Sequence, residues 1–220
     1  MYLERMPRYK SATAKDVAAV DSYIDWMRAK DRGSEYANGT FKEWCGRDEI
    51  PSEDYISFYS QFYEEKFQDW DVEKKYGWHK ISDEAGYWRK ANSIHAWFVE
   101  NVQDGIDDCD YHREVTREDL EQLLDTCRQV LSSCDLTDGE INDGFEYNNG
   151  ELVPRTVEGK YIKDPSIAEA LLPTRSGFFF GATDYDEYYV EDLINTMEII
   201  TRVLDTTDFE TQMVYYVSSW

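Results

Sequence analysis

After Thr116 the chain places Leu120, Leu123, Leu124, Cys127, Val130 and Leu131 at the spacing of a helix with one apolar face. The spacing recurs in Val17, Val20, Ile24 and Met27, and again in Tyr189, Leu193, Met197, Ile200, Val203 and Leu204. One-sided helices must bury their faces against other elements, which commits the chain to helices around a shared core.

Local signals set the expected limits. Gly33 stops a first helix over 13–32, and Ser52 with Glu53 and Asp54 starts a second after Pro51, with an aromatic body from Tyr55 to Phe67. A third is predicted over 83–102, with Tyr87, Trp88, Ala91, His95, Phe98, Val99 and Val102 on one face and Arg89, Ser93 and Glu100 on the other. Thr116 with Asp119 is a variant capping box for the fourth. Residues 134–159 are polar and rich in Gly and Asn, and read as a loop with a short hairpin through 151–163. A short helix near 165–172, a loop bounded by Gly177 and Gly181, a helix over 187–205 and a Val/Tyr/Thr-rich tail at 210–220 complete the reading. The expected fold is all-α or α-dominated α+β: five or six helices around one core, with a small hairpin or C-terminal strand. It forms a single domain over 1–220, with a helical part at 1–80 and an acidic part at 81–220.

Of the 220 residues, 41% are hydrophobic and 15% aromatic, too many for a disordered chain. The formal charge is −23, and it is unevenly placed. Residues 1–100 hold 15 Lys/Arg against 19 Asp/Glu, whereas 101–220 hold 8 against 27. Such a surface repels nucleic acid and anionic membranes and attracts basic partners. No apolar run is long enough to span a bilayer, so no membrane association is expected. Residues 1–10 contain Glu4, Arg5 and Arg8 and no apolar core of a secretory signal. Cys45, Cys109, Cys127 and Cys134 lack C-x-x-C spacing and read as free thiols of a cytosolic protein.

The blocks YWRKANSIHAWFV, DDC, LLPTRSGFFFGATDYDEYYVEDL and TDFETQMVYYVSSW resemble a family of uncharacterised bacteriophage and prophage proteins over roughly residues 85–220. The resemblance implies a viral accessory protein in the bacterial (host) cytoplasm, of a kind that could counter host defence. It implies no reaction.

Within these blocks His95 sits mid-face with Asn92 one turn earlier, either as a base or donor to a ligand or as a core histidine satisfied by Asn92 or a carbonyl. Arg89 and Lys90 could hold an anion or simply face water. Arg175 is one of eight basic residues in the acidic half and lies with Ser176 beside three phenylalanines, which a strand cannot all turn inward. Asp104, Asp107, Asp108 and Asp110 with Cys109 and His112 form no recognised zinc pattern, and no register of the 135–150 loop fits an EF-hand. P-loop, G-x-G-x-x-G, H-E-x-x-H and G-x-S-x-G motifs are missing, so the residues give no positive sign of catalysis, of a cofactor or of a metal.

The leading expectation is a binding protein for a host protein or a small anionic, nucleotide-like ligand. Its site would join Trp88, Arg89, Asn92 and His95 to Arg175, Ser176, Phe178 and Tyr185. The alternatives are an acidic nucleic-acid mimic and a metal-dependent hydrolase. The oligomeric state is left open.

Overall fold

The structure, a computed structural model, describes all residues except 10–11, 47–49, 67–81, 108, 110–112, 149, 178–181 and 219–220. In chain order the elements are β1 (Tyr2–Pro7), α1 (Ala14–Asp31), a 3₁₀ turn (Glu35–Ala37), α2 (Phe41–Cys45), α3 (Glu53–Lys66) and β2 (Asp83–Tyr87). There follow α4 (Asn92–Asn101), β3 (Glu114–Val115), α5 (Arg117–Ser132), β4 (Leu136–Asn148), β5 (Glu151–Ile162), α6 (Ser166–Leu171), α7 (Glu187–Thr206) and β6 (Gln212–Val217).

The run QMVYYV in β6 is apolar at successive positions because both of its faces are buried. Val214 and Tyr216 join one core with Leu3, Ala85 and Val115, which α4, α5 and α7 cover. Met213 and Tyr215 point the other way, joining Met6 and the α1 and α3 side chains Val17, Val20, Ile24 and Tyr59. Register agrees: Leu3 faces Tyr216 and Met6 faces Met213 across the β1–β6 pair. The result is an antiparallel sheet of order β2-β1-β6-β3 between two helical layers.

This overturns the all-α or α-dominated expectation. The molecule is α+β, with a four-stranded and a two-stranded antiparallel sheet, and its strands far exceed a small hairpin. Two segments account for most of the difference. The predicted helix over 83–102 is a strand followed by a shorter helix that begins only at Asn92. In β2 Gly86 lies so close to α7 that an added Cβ would stand 2.4 Å from Ile199 Cγ2. The Gly/Asn-rich 134–159 segment is most of a long ribbon, β4 paired with β5, bulged between Asn142 and Phe145. Most of the ribbon is exposed; Ile141 and Ile162 anchor it, at 4% and 3% exposure.

The remaining helices follow their local signals. Thr13 and Thr116 cap α1 and α5 through reciprocal capping boxes with Asp16 and Asp119. The expected stripe of α5 is buried from Leu120 to Val130 and packs on α7. No helix among the described residues is long and apolar enough to cross a membrane.

Candidate functional site

Asp186 precedes α7 and caps it: Oδ1 accepts from the Tyr188 and Tyr189 amides at 3.0 and 3.1 Å. The ribbon crosses this helix start. The Ile162 amide donates to Tyr185 O at 2.8 Å, and Tyr161 bridges to Asp186. At the β4 bulge Gly144 has φ 90° and donates to Asn142 Oδ1 at 2.8 Å, bending the strand so that Asn142 and Asp143 face the α7 start. The Asp143 carboxylate, paired with Arg155, holds the nearby Tyr188 phenol above its ordinary value.

A third wall comes from the chain entering α4. Lys90 has a left-handed backbone, φ 63°, a conformation costly for a residue with a Cβ. Ala91 offers α4 no side-chain cap, so the first amides of that helix have no capping oxygen. Asn92, 6% exposed, ties this wall to the loop before α7. Its Oδ1 accepts from the Arg175 amide and its Nδ2 donates to Ala182 O, both at 2.9 Å.

Together the three walls enclose a cleft of about 410 Å³. Arg89 and Lys90 line it beside Asn92 and Ser93. Asp143, Asp184, Asp186, Glu191 and Asp192 supply five carboxylates. Among the described residues neither Arg89 nor Lys90 forms an ion pair with any of them. Burial, opposed by the two backbone amides and reinforced by Asp184, raises the Asp186 pKa from its ordinary value. Burial, with Glu191 and Asp186 as neighbours, pushes Asp192 up to about 7.

The residues anticipated from the sequence divide into three groups. Asn92 and Arg175 meet, and Arg89 lies on the cleft. The Arg175 guanidinium turns to Glu100, Nη1 to Oε1 at 3.4 Å, and Ser176 is exposed. Tyr185 accepts from the Thr174 amide at 3.2 Å and packs edge-on against Tyr189. Trp88 and His95 belong to the core. Trp88 is 1% exposed and donates from Nε1 to Thr196 Oγ1 at 2.9 Å. His95 is fully buried, with Nδ1 2.7 Å from the Tyr216 hydroxyl and Nε2 3.2 Å from Asp107 Oδ1. A proton on Nε2 would face the Asp107 carboxylate and leave Nδ1 to accept from the Tyr216 hydroxyl. Burial lowers the His95 pKa; Asp107 opposes the shift and the Arg175 charge adds to it.

Phe178 lies outside the described residues, as do Asp108, Asp110 and His112. Asp104 pairs with Arg113 at 2.6 Å. Among the described residues no three His, Cys, Asp or Glu side chains are grouped to hold a metal ion. Sequence reasoning missed Asp186 and Asp192. An Asp just before an apolar-faced helix is an N-cap signal and could have marked the first; nothing local marks the second.

No family model, curated protein or solved structure matches the chain.

Proposed function

We propose that the chain is an accessory binding protein of a bacteriophage or prophage, working in the host cytoplasm and holding a small polar ligand in the cleft between α4, α7 and the ribbon. The phage setting is supported by the resemblance of the blocks around Asn92 and Arg175, the residues that join two of the cleft walls. The size of the cleft is that of small-molecule sites, which run to about 300–1,000 Å³.

The observation that carries the reading is the pair Arg89 and Lys90. Both line the cleft, neither is paired among the described residues, and both precede a helix start without a side-chain cap. An anionic group placed there meets two cations and the positive end of α4. The left-handed Lys90 is the backbone conformation that brings this turn into the wall, and strain of that kind gathers at ligand sites.

Mass spectrometry of small molecules released from the protein purified out of the bacterial host tests the reading. A compound carried by the parent protein and lost from Arg89→Ala, with the melting temperature unchanged, is the expected result. Equal recovery from both proteins would remove Arg89 and the cleft from the function.

A further inference from the structure

We infer that the α7 wall of the cleft, at Asp186 and Asp192, takes an ammonium group, so that the ligand is a small amino compound whose anionic group lies at Arg89 and Lys90. The inference rests on the cleft being a ligand site and names the class of ligand.

Asp186 is 2% exposed, and its two oxygens differ. Oδ1 is engaged by the Tyr188 and Tyr189 amides, while Oδ2 has no hydrogen-bond partner among the described residues. A buried carboxylate oxygen without a donor is destabilising and is rare in folded proteins. Asp192 is half-buried, and its carboxylate has no hydrogen bond or ion pair among the described residues. Asp186 and Glu191 both act on it through their charge. Asp184, exposed and also on the cleft, adds to the charge on Asp186. The wall is therefore a set of unfilled acceptors.

Its chemistry selects the partner. A metal ion needs a convergent ligand set, and among the described residues there is none. A guanidinium binds best as a planar fork across both oxygens of one carboxylate, and Asp186 cannot offer both because Oδ1 caps α7. An ammonium is compact, carries three donors and no acceptor, and can use Oδ2 singly. Asp192, the more open of the two, meets it first. Binding keeps the Asp192 carboxylate ionised, where burial and the neighbouring acids push its pKa up to about 7.

The test uses three compounds of one chain length and follows backbone amides of the full protein by NMR titration. Butylamine carries the cation alone, butyrate the anion alone, and 4-aminobutyrate both. Butylamine and 4-aminobutyrate are expected to shift amides at 184–193, with 4-aminobutyrate also shifting 89–93 and binding more tightly. Asp192→Asn should weaken both amines at least tenfold and leave the butyrate response at 89–93 intact. Asp186→Asn keeps an oxygen to cap α7 but turns an NH₂ toward the free position, and should do the same; its circular dichroism reports that the fold is kept. Amines that bind both variants as they bind the parent would overturn the ammonium assignment. A butyrate response at 89–93 with no amine response at 184–193 would also overturn it while sparing the cleft. Silence from all three compounds would remove both readings.

Discussion

The Asn92 side chain and the Arg175 backbone, 83 residues apart in sequence, are joined at 2.9 Å, and the same amide group reaches Ala182 O at 2.9 Å. One buried side chain thus holds both flanks of the loop before α7 against the start of α4. Asn92→Ala should cost about 1–3 kcal/mol in urea unfolding, since it leaves buried backbone groups without partners. Asn92→Asp should recover little of that loss, because it sets a second acceptor against Ala182 O. A loss below about 0.5 kcal/mol would show that the loop is held by other contacts.

His95 gives a pH dependence. Its folded pKa lies below the ordinary value of about 6.5, because burial outweighs Asp107 and the Arg175 charge adds to the shift. The unfolded chain therefore takes up the proton first as pH falls. This contribution is constant above about pH 6.5 and is lost progressively below it. His95→Gln should unfold more readily at pH 7.5, by about 1–3 kcal/mol, and should lack that part of the acid slope. Unfolding curves at a series of pH values compare the two slopes; parallel slopes would assign the acid sensitivity to carboxylates.

What the sequence made legible was local. Thr13 and Thr116 announce α1 and α5 because a capping box needs only a residue three positions on. The β1 strand escaped notice because Glu4 and Arg5 break its apolar pattern. Glu4 is nonetheless buried, with Ser82 and Tyr215 each donating to Oε2 at 2.6 Å, across 78 and 211 residues. The ribbon escaped notice because its long, mostly exposed strands bury few side chains, so alternation has little to show. Asn92 and Arg175 stood out as polar residues unexplained by helix patterning. Asp192 looks like any acid on a solvated helix face until the fold closes the cleft over it.

Gly86 tests the strand reading of 83–87. Gly86→Ala should destabilise by about 1–3 kcal/mol, because the new methyl meets Ile199 Cγ2 at 2.4 Å. Ile199→Ala should restore part of that loss in the double variant while costing stability by itself. Simple additivity of the two in a double-mutant cycle would mean that the residues are not in contact.

Asp192 should show the opposite pH behaviour to His95. Its folded pKa of about 7 exceeds the usual 3.8, so the folded state holds the proton more tightly and its stability falls as pH rises between those values. Glu191, Asp186, Asp184, Asp143, Arg89 and Lys90 are the charges around the same cleft. Asp192→Asn should be more stable than the parent at pH 8 by about 1–2 kcal/mol, after discounting for solvent screening, with the gain vanishing near pH 4. Thermal melts at the two pH values check this; a gain independent of pH would point to helix propensity alone.

Lys90 sets stability against binding. Glycine adopts a φ of 63° without penalty, so Lys90→Gly should leave the protein as stable as before or up to about 1 kcal/mol more so. It should also weaken any anion held at the start of α4. Stability and retention of the co-purified compound, measured on the same variant, separate the two effects; a marked loss of stability would show that the Lys90 side chain supports the fold.

The pairing of β1 with β6 sets the order in which the molecule can be built. Tyr2 faces Val217, so the strand that fills the middle of the sheet reaches the growing polypeptide more than 200 residues after its neighbour. At synthesis rates of about 5–20 residues per second, β1 waits roughly ten to forty seconds before β6 exists to cover Leu3 and Met6. Helices α1, α5 and α7 form meanwhile, but the two cores they belong to share a wall that has yet to be made. Closing a contact of that span is an entropically late event. Folding is therefore expected to finish only once β6 has emerged, with the nascent chain until then exposing apolar surface that chaperones recognise.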